Sequence, residues 1–369
     1  MADALFIPRP DEARRIAALL TPDPLFGEIA GLFLAAPRRT GKSTFLRRDL
    51  LPLLQAEGRS VLYVDLWADR DSDPGKLIVS CIARALEAAD GPIAKFRRSL
   101  PFTSVGALGF RVDLKTAGSW EGTIPDALSL LVQATGQDAV MIVDEAQHAL
   151  VSEAGQSAMF ALKAARDAVN QSDFPGKLYL VMTGSHRDKL AALVHDHQAP
   201  FFGATVRDFP ALGVAYTQAV AAHLNGRLAA SAQIDPEAIE TAFDRLGRRP
   251  ERLNACLRDL ILGPDFGAAA LERLVDSSIR AAREQLLSEI SALSPLQQTI
   301  LRQMAADGIG FAPFAEETRA AMATDGTPPG KSAVQKALDT LRDKGLVWRP
   351  GFGRYVLESA EVAQALREG

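Results

Sequence analysis

Cysteine is scarce in this sequence: among 369 residues there are two, Cys81 and Cys256. They lie far apart in stretches of helical pattern. They therefore read as small buried hydrophobes, not as a disulfide framework or a metal site, and a reducing, cytoplasmic setting is the expectation. Long apolar runs are missing too. None approaches the ~18 residues of a membrane helix, and the opening MADALFIPRPDEARR lacks the basic-then-apolar layout of a signal peptide, so no membrane partner is expected. There is no excess of basic charge: 41 Lys and Arg stand against 45 Asp and Glu, a net charge of −4. No global field draws the chain to nucleic acid or an anionic bilayer. Internal repeats and low-complexity tracts are likewise absent, with only an enrichment of alanine in the helical stretches. His195 and His197 alternate without further ligands nearby, so they read as surface histidines and not as zinc ligands.

What is present is length enough for two or three domains with real cores, and one organising stretch, Gly31–Arg48, GLFLAAPRRTGKSTFLRR. It reads as a buried strand (Leu32–Ala36), a tight loop (Pro37–Lys42) and a helix opening at Ser43. Gly41-Lys42-Ser43-Thr44 behind a strand is the phosphate-binding P-loop in its expected context. Pro37, Arg38, Arg39, Thr40, Gly41, Lys42, Ser43 and Thr44 form the candidate anion cradle, built from loop N–H groups and a helix N-terminus. Lys42 is expected to reach the β- and γ-phosphates of ATP, and the Ser43 hydroxyl to ligate Mg²⁺. The full pattern wants glycine where Ala36 stands. That substitution is costly if the backbone there needs positive φ and harmless if the strand runs straight into the loop.

Further buried strands are predicted at Ser60–Leu66, Ala139–Val143 and Leu178–Thr183. The second ends in Asp144-Glu145, the Walker B arrangement. Asp144 is expected to hold Mg²⁺ in its second shell, and Glu145 to polarise the attacking water at the crevice beyond the strand ends. The third ends in Thr183-Gly184-Ser185-His186-Arg187, on a strand expected between the other two. Thr183 or Ser185 is placed to touch the γ-phosphate or the water, and Arg187 to reach a phosphate in cis or in trans. Phe110–Leu114 alternates like an exposed strand of a hairpin insertion. Phe6, Ile7 and Phe26 are apolar residues that floor an adenine pocket or belong to the core.

From Phe209 the pattern is helical. Gly247-Arg248-Arg249-Pro250-Glu251-Arg252-Leu253 interrupts it, and Arg248, Arg249 or Arg252 is placed to lean on the phosphates from a lid. Ser294-Pro295-Leu296-Gln297 is a capping box that opens a new unit. It holds three helices and then a short hairpin through Gly351-Phe352-Gly353, the winged helix-turn-helix layout. Ser332 and Gln335 read as a second capping box. Lys331, Ser332, Gln335, Lys336 and Arg342 on the third helix, with Arg349 and Arg354 on the wing, make a plausible set for duplex DNA. Residues 294–369 nevertheless hold nine basic and nine acidic side chains, and DNA affinity is carried largely by phosphate neutralisation. A protein partner or an autoinhibitory role is the other reading of this unit.

Together, PRRTGKST, VDEAQ, TGSHR, GRRPERL and the C-terminal winged helix resemble the archaeal-type P-loop ATPases, akin to STAND switches and to origin-recognition initiators of the AAA+ class. The resemblance covers roughly Phe6–Leu366. It implies an α/β fold: a parallel-sheet P-loop core (residues 1–205), a helical lid (206–293) and a winged helix domain (294–369), with Mg·ATP between core and lid. It also implies Lys42, Ser43, Asp144 and Glu145 in the roles given above. The family's Gly-Arg after the sensor strand is replaced by Gly203-Ala204, with Arg207 three positions on. The functions in view are an ATP-hydrolysing switch acting on DNA or a protein, a non-hydrolysing nucleotide-dependent scaffold or transcriptional regulator, and a DNA-remodelling or transposition helper that self-associates.

Overall fold

Short runs of large apolar and β-branched residues form the central sheet of the computed structural model, which describes residues 6–21, 31–69, 71–96, 109–114, 118–323, 326–351 and 353–368. Phe26 lies outside them. Strands β1 (Leu32–Ala35), β2 (Ser60–Asp65), β5 (Ala139–Asp144), β6 (Leu178–Gly184) and β7 (Val206–Asp208) pair in the order β2-β5-β6-β1-β7, with every pairing parallel. β6 therefore lies between the P-loop strand and the Walker B strand, as expected from sequence. All six residues of β5 are buried. Ala139, Met141 and Val143 enter one core and Val140 and Ile142 the other, so the period-2 pleat feeds two layers.

One layer packs α4 (Pro74–Ala88), α5 (Asp90–Phe96), α6 (Ile124–Thr135) and α7 (Glu153–Asn170) on the sheet. The other packs α1 (Pro10–Leu20), α2 (Lys42–Phe45) and α3 (Leu51–Ala56). β3 (Phe110–Leu114) and β4 (Gly118–Gly122) form the separate antiparallel hairpin. α8 (Arg187–Ala191) follows β6. Between α2 and α3 the helix widens into a π-turn over Leu46–Leu50, closed by the Leu51 N–H on the Leu46 carbonyl. Pro52 explains it, because its ring has no N–H and would clash with a regular turn's carbonyl four residues back. Asp73 caps α4 by accepting from the Gly75 N–H. Both cysteines are buried thiols.

By contacts the chain divides into two units. One comprises Pro8–Pro37 and Lys42–Phe209; the other comprises the chain from Pro210 with Phe6, Ile7 and Arg38–Gly41. In the second unit α9 (Val214–Asn225), α10 (Pro236–Arg245), α11 (Pro250–Leu262) and the first half of α12 (Ala268–Ser291) share one core, against which Ile7 packs. The end of α12 enters the next core through Leu286 and Ile290. That core joins α13 (Pro295–Asp307), α14 (Glu316–Ala321), α15 (Lys331–Asp343), the hairpin β8 (Val347–Gly351) with β9 (Arg354–Leu357), and α16 (Ala360–Glu368). This is the winged helix-turn-helix layout. The Ser294–Gln297 capping box is present. The Ser332–Gln335 box is not. Gly330 is the N-cap and α15 begins at Lys331, so Ser332 already has helical backbone and cannot cap. Among the described residues no helix is long and apolar enough to cross a membrane.

Candidate functional site

The P-loop begins where β1 ends. The Ala36 N–H donates to the Gly184 carbonyl at 3.1 Å, continuing the sheet by one residue. Ala36 is not among the residues with positive φ; the loop's left-handed positions are Arg39 (φ 63°) and Gly41 (φ 85°). The strand thus runs straight into the loop and alanine is harmless at this place. The strain moves to Arg39, an exposed residue that pairs with Glu251 of the same unit. At Gly41 a Cβ would meet nothing within 4 Å, so glycine is favoured there for its backbone and not for space. Pro37, Arg38 and Thr44 are also exposed.

Lys42 opens α2 and is buried to 5% exposure. Its Nζ donates to the Ala36 carbonyl and to Glu145 Oε1, each at 3.2 Å. The Ser43 hydroxyl donates to Asp144 Oδ2 at 2.5 Å, and the Tyr63 hydroxyl to the same oxygen at 3.0 Å. Asp144 Oδ1 accepts from the Thr183 hydroxyl and, at 3.1 Å, from the Glu145 N–H. A fully buried carboxylate thus has its acceptor positions filled by four neutral donors from four separate segments. Burial, followed by the charge of Asp144, raises the Tyr63 pKa, so Tyr63 stays a donor. Arg47 stacks over the Tyr63 ring, 4.8 Å from its centroid, and approaches Asp65 Oδ2 at 3.6 Å. Burial raises the Asp65 pKa more than the Trp67 N–H bond lowers it.

Glu145 sits just beyond β5 with left-handed backbone, φ 55°. Oε1 faces Lys42, while Oε2 accepts from Gln147 Nε2 (2.6 Å), the Ser185 hydroxyl (2.7 Å) and the Ser185 N–H (3.2 Å). Burial alone would raise its pKa. The Lys42 charge and the bonds from Ser185, Gln147 and Lys42 outweigh that, and the net shift is downward. Gln147 is itself buried. Gly184 makes room for it, since a Cβ there would lie 2.6 Å from Gln147 Oε1. Ser43 and Asp144 are hard oxygen donors side by side, a set that fits Mg²⁺, which takes few protein ligands. No cluster of three or more His, Cys, Asp or Glu suited to another metal occurs among the described residues.

No protein-family model matches the sequence, and no curated protein matches it. Solved structures do. The Walker-type ATPase of Pyrococcus abyssi is 19% identical over 97% of this chain and 95% of its own, with a TM-score of 0.53. The ORC2 protein of Aeropyrum pernix in its ADP form is 17% identical over 97% and 93%, with a TM-score of 0.52. Its ADPNP–ADP complexes give 17% over 99% and 96%, with a TM-score of 0.50. The fold is that of the archaeal-type P-loop ATPases.

On this P-loop ATPase fold the other candidates are distributed as follows. Ser185 joins Glu145, and Thr183 joins Asp144. Arg187 pairs with Asp208 at the end of β7, and Arg207 beside it is exposed. Arg248 bonds the Leu212 carbonyl and pairs with Glu240 and Asp244. Arg249 and Arg252 both pair with Glu361 of α16, at 3.3 and 3.0 Å. Lys331, Ser332, Lys336 and Arg354 are exposed. Gln335 instead bonds Asp339 at 2.9 Å, and Arg342 pairs with the same carboxylate at 3.3 Å. Arg349 lies over the Tyr355 ring. His195 and His197 are exposed. Sequence reasoning passed over three supports: Gln147, Tyr63 and the space at Gly184. The only available signal was the glutamine of VDEAQ, two positions after the glutamate.

Proposed function

We propose that this chain is a Mg²⁺-dependent ATPase that works as a molecular switch, coupling nucleotide state to its winged-helix unit. The observation that carries the reading is the ion pair between buried Lys42 and part-buried Glu145, two groups of opposite charge at the mouth of a P-loop. A triphosphate offers Lys42 a denser negative charge than one carboxylate does. On binding, Lys42 turns to the β- and γ-phosphates and Glu145 is released to bond water. Glu145, held ionised, orients that water and takes its proton as oxygen attacks the γ-phosphorus and the bond to ADP breaks. Ser185 and Gln147 aim Glu145 throughout. Ser43 and Asp144 would hold Mg²⁺, which neutralises phosphate charge when bound. The similar structures, a Walker-type ATPase and a protein in its ADP and ADPNP–ADP forms, support this reading.

A purely nucleotide-binding scaffold is less well supported. The substituted glycine and the arginines that pair with carboxylates instead of facing the P-loop would favour it, but Ala36 needs no special backbone. Duplex DNA remains the proposed output, by way of exposed Lys331, Ser332, Lys336 and Arg354. ATP turnover of the wild type, Lys42→Ala and Glu145→Gln, with and without duplex DNA while mass is followed by light scattering, tests the whole. Absence of turnover in the wild type overturns the ATPase reading. DNA binding that is absent, or that does not weaken with salt, overturns the DNA output in favour of a protein partner.

A further inference from the structure

A cavity of about 260 Å³ opens within the second unit, among the ends of α10 and α11, the middle of α12 and α16. Its wall carries four guanidinium groups, those of Arg245, Arg252, Arg280 and Arg283, against two carboxylates, Asp276 and Glu361. Ile279 and Leu286 add apolar wall. In a chain whose net charge is −4, the wall of this concave surface carries more guanidinium groups than carboxylates, and a low-dielectric wall strengthens their field.

The existing pairs show what these arginines select. Glu361 Oε1 takes Arg252 at 3.0 Å and Oε2 takes Arg249 at 3.3 Å, so one side-chain anion bridges two forks. Asp276 takes Arg245 at 2.5 Å. Arg280 lies exposed on α12 with no carboxylate paired to it among the described residues. Arginine forks match the oxygens of phosphate and carboxylate bidentately. At about 260 Å³ the space lies below the ~300–1,000 Å³ of drug-sized ligand sites. It suits a compact ligand with several anionic oxygens better than a whole nucleotide.

We propose that this cavity is a second anion site, distinct from the P-loop, that binds a small phosphoanhydride such as inorganic pyrophosphate. The ligand takes Arg280 directly, lies against Arg283 and competes with Glu361 for Arg252. Binding thereby loosens the tie of α16 to α11, which makes the site a regulatory input to the winged-helix core.

The test is calorimetric titration of pyrophosphate into the full chain carrying Lys42→Ala, which silences the P-loop. Saturable binding near one equivalent is expected. The double change Arg280→Ala with Arg283→Ala weakens it at least tenfold, while Arg280→Lys, which keeps the charge and loses the fork, weakens it by less. Glu361→Gln removes the internal competitor and tightens it at least threefold, a gain that loss of folding cannot imitate. Absence of saturable binding in the Lys42→Ala chain, or binding indifferent to Arg280 and Arg283, overturns the proposal. Weaker binding in Glu361→Gln overturns the competition, and tighter binding of succinate than of pyrophosphate overturns the ligand class. ATP turnover plays no part in the readout, so the outcome is separate from that of the P-loop assay.

Discussion

Lys42 and Glu145, 103 positions apart in the chain, meet at 3.2 Å, and the lysine occupies the oxygen of Glu145 that Gln147 and Ser185 leave open. Both carboxylate oxygens of Glu145 are thus engaged. Glu145→Gln keeps the shape but loses the charge. Its turnover is expected to fall by roughly 10²–10⁴-fold, the usual worth of a positioned base. ATP affinity, measured by equilibrium titration, stays within a few-fold of wild type.

The same pair ties stability to pH. The folded pKa of Glu145 lies below its ordinary value of 4.5, so the unfolded state binds the proton more readily. The stabilisation is present above the ordinary value and is lost as pH falls through the lowered one. Urea midpoints measured from pH 7 down to about pH 3 should fall less steeply for Glu145→Gln than for wild type. Parallel curves would remove the charge of Glu145 from the account.

Thr183→Val keeps the volume of a fully buried residue and deletes one of the four donors to Asp144. An under-satisfied buried acceptor costs about 1–3 kcal/mol. Urea unfolding should register that loss at pH 7.

Gly184→Ala would put a methyl 2.6 Å from Gln147 Oε1 and 3.2 Å from the Leu190 Cβ. Gln147 is the group able to yield, and with it goes one donor to Glu145. Turnover is expected to fall about tenfold, an order typical of a misaimed catalytic group, and Gln147→Ala should reproduce the loss. If Gln147→Ala turns over normally, positioning by Gln147 is refuted.

Ala36→Gly restores the usual motif yet should bring no gain. Position 36 has no positive φ, and glycine adds unfolded-state entropy worth about 0.5–1 kcal/mol. Turnover within about twofold of wild type, with a slightly lower urea midpoint, is the expected pair of results.

Much of the fold could be read along the chain because its signals are local. The apolar runs of β1, β2, β5 and β6 and the caps at Asp73 and Ser294 depend on neighbours a few residues away. So does the GKST turn. α5 escaped because its seven residues, DGPIAKF, include glycine and proline and show little periodicity. The box at Ser332 failed because Gly330 offered an earlier helix start.

By itself the sequence determined which groups are candidates for phosphate chemistry: Lys42 and Ser43 follow the loop after β1, and Asp144 and Glu145 close β5, so each pair is placed by its own neighbours. Only the tertiary structure decided how they are held. The placing of β6 between β1 and β5 brings Thr183 onto Asp144 and Ser185 onto Glu145. The loop puts its strain at Arg39 and spares Ala36. Glu361, more than a hundred residues downstream, takes Arg249 and Arg252. Hydrogen bonds and ion pairs act over about 3 Å, and which side chains come within that reach is set by strand order and helix packing.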